Sequence, residues 1–324
     1  MSPALISPPS SGNPGLLDFY VPFLNAIYRE AVSESTDSDS DSGPSSSVTI
    51  FAHAHLGLSS YVGVDGDGTF TFPEPSCVTL PAQIQAHVEF LDEILVAYGP
   101  ATRVLLVGHS IGAWFAQEVL KARALLRPRV GAYMLFPTLS DIAKTPGGRM
   151  LWVRVCMCRF GFDLASNTLA RPCGASLHPL PTATFSTLAL KPVFRPPLPR
   201  TLAYLSLLVR HVPLFIHRLA QPSWPVSQLQ VLRSFLHAPA AIYASLTMAH
   251  DELDTVRDLD TDFLREFAEN LWFYYADEDD WVGDQRGVVL RALQGTVAGS
   301  HVVHDHGGVP HAFCISAAFF SSSW

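Results

Sequence analysis

The 324-residue chain is poor in charge: only 15% of its residues are Asp, Glu, Lys or Arg, with 21 basic against 29 acidic and a formal net charge of -8. No basic stripe interleaved with aromatics occurs, which argues against a nucleic-acid partner. No run of about 18 uninterrupted apolar residues is present, so a simple bilayer-spanning helix is not expected. The opening MSPALISPPSSG lacks both a positive start and an apolar stretch of useful length, so no secretory signal is expected. Five cysteines (Cys77, Cys156, Cys158, Cys173, Cys314) are odd in number and scattered, unlike a disulfide framework, which points to a reducing compartment. Neither a G-x-G-x-x-G after a strand nor a G-x-x-x-x-G-K-[ST] occurs, so no nucleotide cofactor is implied, and no internal repeat is evident. What the chain does have is apolar bulk. At 48% hydrophobic it can bury a sizeable core, as one large α/β domain with an insertion or as two small domains.

Segments with strand and helix periodicity alternate along the chain. A Gly/Pro turn at 12–15 leads into a helix with Phe19, Phe23, Leu24 and Ile27 at helical spacing. Residues 33–47, SESTDSDSDSGPSSS, hold no large apolar side chain, and a disordered, solvated acidic Ser-rich loop is expected there rather than a phosphorylated tract. SVTIFAHAH reads as a strand, PAQIQAHVEFLDEILVAYG as a helix, RVLLVGHS as a buried strand, IGAWFAQEVLKARALL as a helix and VGAYMLFP as a strand. This alternation predicts a mostly parallel sheet with helices on both faces. Residues 149–266 break it, being rich in Pro, Arg, aromatics and Leu without a clear strand, and are expected to form an apolar helical cap. Core segments 1–148 and 267–324 would flank that cap, the second starting with NLWFYYADEDDW and continuing with a helix near 284–294 and the weak strand GSHVVHD.

The stretch VGHSIGAWF carries the chemistry. A G-x-S-x-G between a buried strand and a helix (Gly108, Ser110, Gly112) describes a nucleophile elbow, a strained turn that lifts the serine hydroxyl clear of the sheet. The glycines leave room for the close approach of strand and helix, and the Ile111 N–H becomes one oxyanion donor. A serine needs a histidine to take its proton and an acid to orient that histidine. In this architecture both follow the serine in chain order. One of the four carboxylates Asp277, Glu278, Asp279 and Asp280 is the expected acid, and spacing does not choose among them. Four histidines follow: His301 and His304 fall at or within a strand, whereas His311 lies beyond it after Gly307-Gly308-Val309-Pro310 and is favoured, with His306 as its rival. Gly12-Asn13-Pro14-Gly15 occupies the place of a second oxyanion loop; since Pro14 has no N–H, Asn13 would donate. His53-x-His55 and His304-Asp305-His306 lack partners for a familiar metal set and are expected to be structural, so neither metal nor cofactor is implied.

With these residues in view, the blocks GNPGLLDFYVPF, GHSIGAW, LFPTLSDIAKTPGGRM, FYYADEDDWV and VPHAF, in this order over residues 12–313, resemble the lipid droplet-associated hydrolase family of the α/β-hydrolase superfamily. The resemblance implies an α/β-hydrolase fold and a triad of the elbow serine, the aspartate of a Tyr-Gly-x-x-Asp-x-Trp block and the histidine of P-H-A-F. On this chain these are Ser110, Asp279 and His311. Tyr275 and Trp281 match around Asp279, while Ala276 replaces the family glycine, which leaves Asp277 and Asp280 as lesser choices. Only eleven residues precede Gly12, where the family carries strands, so an edge hairpin is expected to be missing. After P-H-A-F the family continues in a long amphipathic helix, and here a shortened one is expected.

Between Arg195 and Trp224, bulky apolar residues (Leu202, Leu205, Leu208, Val209, Leu214, Phe215, Ile216) alternate with Arg200, Arg210 and Arg218. Such a mixture suits either a lid packed on the core or a helix lying in a lipid interface. The resemblance favours the interface. It implies a serine esterase cleaving carboxylic esters of lipids, sterol esters or acylglycerols, located at the lipid droplet, with the endoplasmic reticulum surface and the cytosol as further locations. A droplet tether with little turnover is the alternative, and a peptidase or acyltransferase on the same scaffold is a third reading.

Overall fold

The computed structural model describes residues 4–10, 15–37, 48–58, 71–149, 197–209, 211–295, 301–306 and 308–315, with the backbone alone for 4–10 and 34–37. Six strands form one sheet in the order β2-β1-β3-β4-β5-β6. They are β1 (Ala4–Ser10), β2 (Val48–Ile50), β3 (Arg103–His109), β4 (Val130–Leu135), β5 (Leu271–Ala276) and β6 (Val302–Asp305), and every described pairing is parallel. The chain goes outward from β1 to β2, then returns past β1 to β3 and proceeds to β6. The direction of winding therefore reverses between β1 and β3, and ligand sites of open parallel sheets lie beyond the carboxyl ends of strands at such a reversal.

β3 and β4 lie in the middle of the sheet and are apolar nearly throughout, as strands covered on both faces must be: Val104, Leu106, Val107, Val130, Ala132 and Met134 are all buried. Helix α3 (Ile111–Ala122) follows β3 directly, and its residues from Ile111 to Gln117 are buried without interruption. Helix α2 (Leu80–Tyr98) starts with Pro81 in its first turn and ends at Gly99, whose φ of 86° is the left-handed conformation that glycine adopts at no steric cost. The α/β-hydrolase arrangement expected from the sequence is present.

Three expectations need revision. Residues 4–10, to which the sequence assigns no element and before which an edge hairpin is expected to be missing, form β1 in the interior of the sheet; Pro8 and Pro9 offer no N–H to the ladder, and its register shifts between Ser7 and Ser10. The strand expected from SVTIFAHAH ends at Ile50, and residues 51–55 continue without regular structure. Helix α1 (Val21–Asp37) runs five residues into the segment read as a disordered loop; residues 38–47 lie outside the described set.

Between β4 and β5 come helices α4 (Leu198–Val209), α5 (Leu214–Ala220), α6 (Val226–Leu236), α7 (Pro239–Thr255) and α8 (Thr261–Glu266). Phe72 seats α4 on α7, its ring 5.1 Å from those of Tyr204 and Tyr243, with the Arg200 guanidinium over Phe72 and Tyr243. Met248, Phe263 and Leu264 join the main apolar core, which thus continues across the boundary expected at 266. The first part of the expected cap, 150–196, lies outside the described residues, as do Cys156, Cys158 and Cys173. Helix α9 (Gln285–Ala292) follows β5 as expected.

Candidate active site

Ser110 stands at the turn from β3 into α3 with φ 56° and ψ -122°, a strained conformation for a residue with a side chain. Surrounding bonds hold it there: its N–H donates to the Leu135 carbonyl at 2.9 Å, and its own carbonyl accepts from the N–H groups of Ala113 and Thr138. A Cβ placed on Gly108 would stand 2.6 Å from the Cα and N of Ala113 and closer still to the Gly112 carbonyl oxygen, so only glycine lets the strand pass beneath the helix. As the first residue of α3, Ile111 has an N–H with no acceptor inside the helix, which leaves it available to an anion.

His311 Nε2 is 3.0 Å from Ser110 Oγ, and His311 Nδ1 is 2.8 Å from Asp279 Oδ2. A carboxylate can only accept, so Nδ1 carries the proton and Nε2 presents its lone pair to the serine O–H. Asp279, just past β5, is fixed through its other oxygen: Oδ1 accepts from the N–H groups of Trp281 at 2.8 Å and Val282 at 3.1 Å. Burial pushes the Asp279 carboxyl up. The hydrogen bond and charge of His311, with the two backbone N–H groups, outweigh that effect and hold it below its ordinary value. Trp281 leans over the His311 ring at 6.2 Å, and Phe136 approaches it at 5.7 Å.

The competing residues lie elsewhere. Asp277 Oδ2 is 2.7 Å from His306 Nδ1, an exposed pair apart from the serine. Asp280 and Glu278 are exposed as well. His301 donates from Nδ1 to the Leu271 carbonyl and lies tilted against Trp272 at 5.1 Å, and His304 lies over Tyr275. Asn13, the expected second oxyanion donor, lies outside the described residues with the rest of Gly12–Pro14. His53 and His55 do not share a strand face. They pack around His87, at 4.9 and 5.4 Å, among Phe90 and Phe115, and burial lowers His53 and His87. Among the described residues no group of three or more His, Cys, Asp or Glu side chains is arranged to hold a metal ion.

Two residues at the site escaped the sequence reading. His109, the first variable position of the elbow motif, is buried; its Nε2 lies 2.9 Å from the His311 carbonyl oxygen and its Nδ1 lies 2.6 Å from the Tyr20 hydroxyl. The carbonyl accepts, so Nε2–H donates, and the bare Nδ1 accepts from Tyr20. Burial and then the neighbouring His311 lower the His109 ring from 6.5 to about 3, against the smaller opposing effects of the His311 carbonyl and Asp279. Unfolded, this ring takes its proton near pH 6.5, and folded only near 3. Between those values the unfolded chain binds more protons, so stability falls on acidification. The wild-type melting temperature is therefore expected to drop between pH 7 and pH 5, and to drop less in His109→Gln, as differential scanning calorimetry would record; an equal drop would refute a neutral buried ring.

A family model described as "Lipid-droplet associated hydrolase" matches residues 9–314. A Homo sapiens protein named lipid droplet-associated hydrolase is 32% identical over 78 residues, covering 24% of each chain. Its Mus musculus namesake is 24% identical over 237 residues, 73% of this chain and 59% of that protein. The chain thus spans less than two thirds of the length of these curated relatives. Among solved structures, a peroxisomal α/β-hydrolase of Saccharomyces cerevisiae superposes with a TM-score of 0.49 at 11% identity, over 98% of this chain and 73% of that one. A structure described as a putative lipase of Acinetobacter baumannii has a TM-score of 0.47 at 12% identity, over 99% and 82%.

Proposed function

The chain belongs to the lipid-droplet-associated hydrolase family, and from that membership we propose that it is a serine esterase cleaving carboxylic esters of lipids, sterol esters or acylglycerols, at the surface of lipid droplets. The observation that carries this reading is the unbroken hydrogen-bonded series from Ser110 through His311 to Asp279. Ser110 Oγ attacks the ester carbonyl carbon while its proton passes to His311 Nε2. The negative charge that develops on the carbonyl oxygen is met by the Ile111 N–H and, in this proposal, by the Asn13 N–H. The tetrahedral adduct then collapses: the carbon–oxygen bond to the alcohol breaks, and the alcohol leaves with the proton from His311. Water attacks the acyl-serine and gives its proton to His311, which returns it to Ser110 as the free acid departs. Asp279 stays ionised throughout and offsets the positive charge on the imidazolium.

Access to a lipid phase is supported by the outer faces of α4 and α5. Leu208, Phe215 and Leu219 are 71%, 63% and 75% exposed, and Tyr204, Leu205, Ile216, Arg200 and Arg218 are exposed as well. So many bulky apolar side chains on consecutive helices suit insertion between acyl chains, with the Arg218 guanidinium at the headgroups. Among the described residues no helix is long and apolar enough to cross a membrane. Replacing Leu208, Phe215 and Leu219 together by Ser is expected to lower partition onto phospholipid-coated triacylglycerol droplets by at least about tenfold, each buried side chain contributing about 1.5–3 kcal/mol. Hydrolysis of a soluble short aryl ester should remain within about twofold of wild type, since none of the three touches Ser110. Flotation of droplets with bound protein measures the first quantity and chromogenic hydrolysis the second.

The enzyme reading is tested by exposing the folded protein to a fluorophosphonate and to lipid esters. Labelling of Ser110 and release of fatty acid support it. Droplet binding without labelling or turnover would support a tether instead.

A further inference from the structure

His311 sits in a turn, preceded by Gly308 at φ 74° and followed by a single 3-10 turn at Phe313–Ile315, so among the described residues no strand or α-helix carries its backbone. Its ring is bonded to Asp279 and Ser110, yet a ring can only be as well placed as the main chain that carries it. That main chain is held by His109 Nε2 at the His311 carbonyl. His109 is the covalent neighbour of Ser110, so this bond ties the backbone of the base to the residue next to the nucleophile. The tether is short and owes nothing to the outer part of the loop.

The His109 ring is itself held in place. Tyr20, which follows the turn opening α1, hydrogen-bonds Nδ1, and the rings of Phe313 and Phe136 stand edge-on to it at 5.1 and 5.8 Å. Gln228 of α6 ties down the flanking segments, its Nε2 donating to the carbonyls of Phe19 and Cys314. Were His109 protonated, a second cation would stand 5.0 Å from the His311 ring and oppose the imidazolium that must form there. Burial keeps it neutral.

We infer that His109, with its tautomer set by the Tyr20 hydroxyl, is a positioning residue that fixes the His311 main chain relative to Ser110. The inference rests on the esterase reading for its consequence in rate but not for its geometry, and the experiment separates the two. Purified wild type of residues 1–324, His109→Leu, His109→Gln and Tyr20→Phe are compared for the second-order rate of fluorophosphonate labelling at Ser110 and for aryl ester hydrolysis. Glutamine can keep a donor near the Nε2 position, whereas leucine cannot. His109→Leu is expected to label about 10- to 100-fold more slowly, with kcat lowered and KM nearly unchanged, as expected for a base displaced by a fraction of an ångström. His109→Gln should lie within about threefold of wild type, one retained hydrogen bond being worth that order. If His109→Leu does not fold, Tyr20→Phe carries the test, with an expected loss of about threefold or more.

Equal losses in the leucine and glutamine variants, or none in leucine, overturn the inference. A folded wild type that neither labels nor hydrolyses would sink the esterase reading alone. The positioning is then read from imidazole nitrogen NMR: His109 should show a protonated Nε2, a bare Nδ1 and no titration between pH 5 and 9. The His311 signals should shift in His109→Leu and stay near wild type in His109→Gln. A titrating His109, or His311 signals unmoved in the leucine variant, would overturn it.

Discussion

Ser110→Ala lowers ester hydrolysis by about 10³- to 10⁶-fold, and fluorophosphonate labelling is lost altogether. The change removes one oxygen from a residue that is 9% exposed and breaks one hydrogen bond, to His311 Nε2. It does not alter the backbone demand at this position, because alanine and serine meet the same steric cost at φ 56°. The melting temperature should therefore stay within a few degrees of wild type, the loss of a single hydrogen bond being worth about 1 kcal/mol. A variant that stays folded and keeps hydrolysing aryl esters at the wild-type rate would refute the proposal that Ser110 is the nucleophile.

Asp279→Asn should cost about 10³- to 10⁴-fold in kcat, whereas Asp277→Asn should leave it within about twofold. The reason lies in how the two oxygens of Asp279 are used. Oδ1 already accepts from Trp281 and Val282, so an asparagine keeps its carbonyl oxygen there and turns its –NH2 toward His311. A donor at that place makes His311 present a bare Nδ1 and carry its proton on Nε2. That tautomer has nothing with which to accept the Ser110 proton. Asp277, by contrast, pairs with exposed His306, with Arg286 and His304 farther off. Steady-state kinetics on the two variants decides between them, and a larger loss in Asp277→Asn would transfer the orienting role to the exposed pair.

How much of this was legible beforehand follows from the kind of constraint each residue answers to. The elbow was legible because its demand is local: a glycine where strand and helix touch, a serine two positions on, an apolar strand before and a helix after. The choice among Asp277, Glu278, Asp279 and Asp280 was not, because it depends on which carboxylate folds back onto the N–H groups of residues 281 and 282. The resemblance to a family supplied Asp279 where spacing had left four choices. His109 and Tyr20 were invisible for a different reason. They lie 89 positions apart, and their pairing exists only once α1 is laid against the end of β3. β1 was hidden by its prolines, which argue against an inner strand wherever the ladder is regular. The ladder here is irregular at that point.

The placement of residues 4–10 between β2 and β3 bears on how the polypeptide acquires its shape. This segment is a wedge whose two flanks lie later in the chain, one about forty residues on and the other about a hundred. Until Arg103 to Gly108 emerge, it has at most a three-residue partner, and its backbone groups must remain with solvent or a chaperone. Chain closure over such spans makes assembly slow and leaves unpaired edges open to association. Without that wedge, Val48–Ile50 would have no neighbour in the sheet, and β3 would become an outer strand with the nucleophile at its tip.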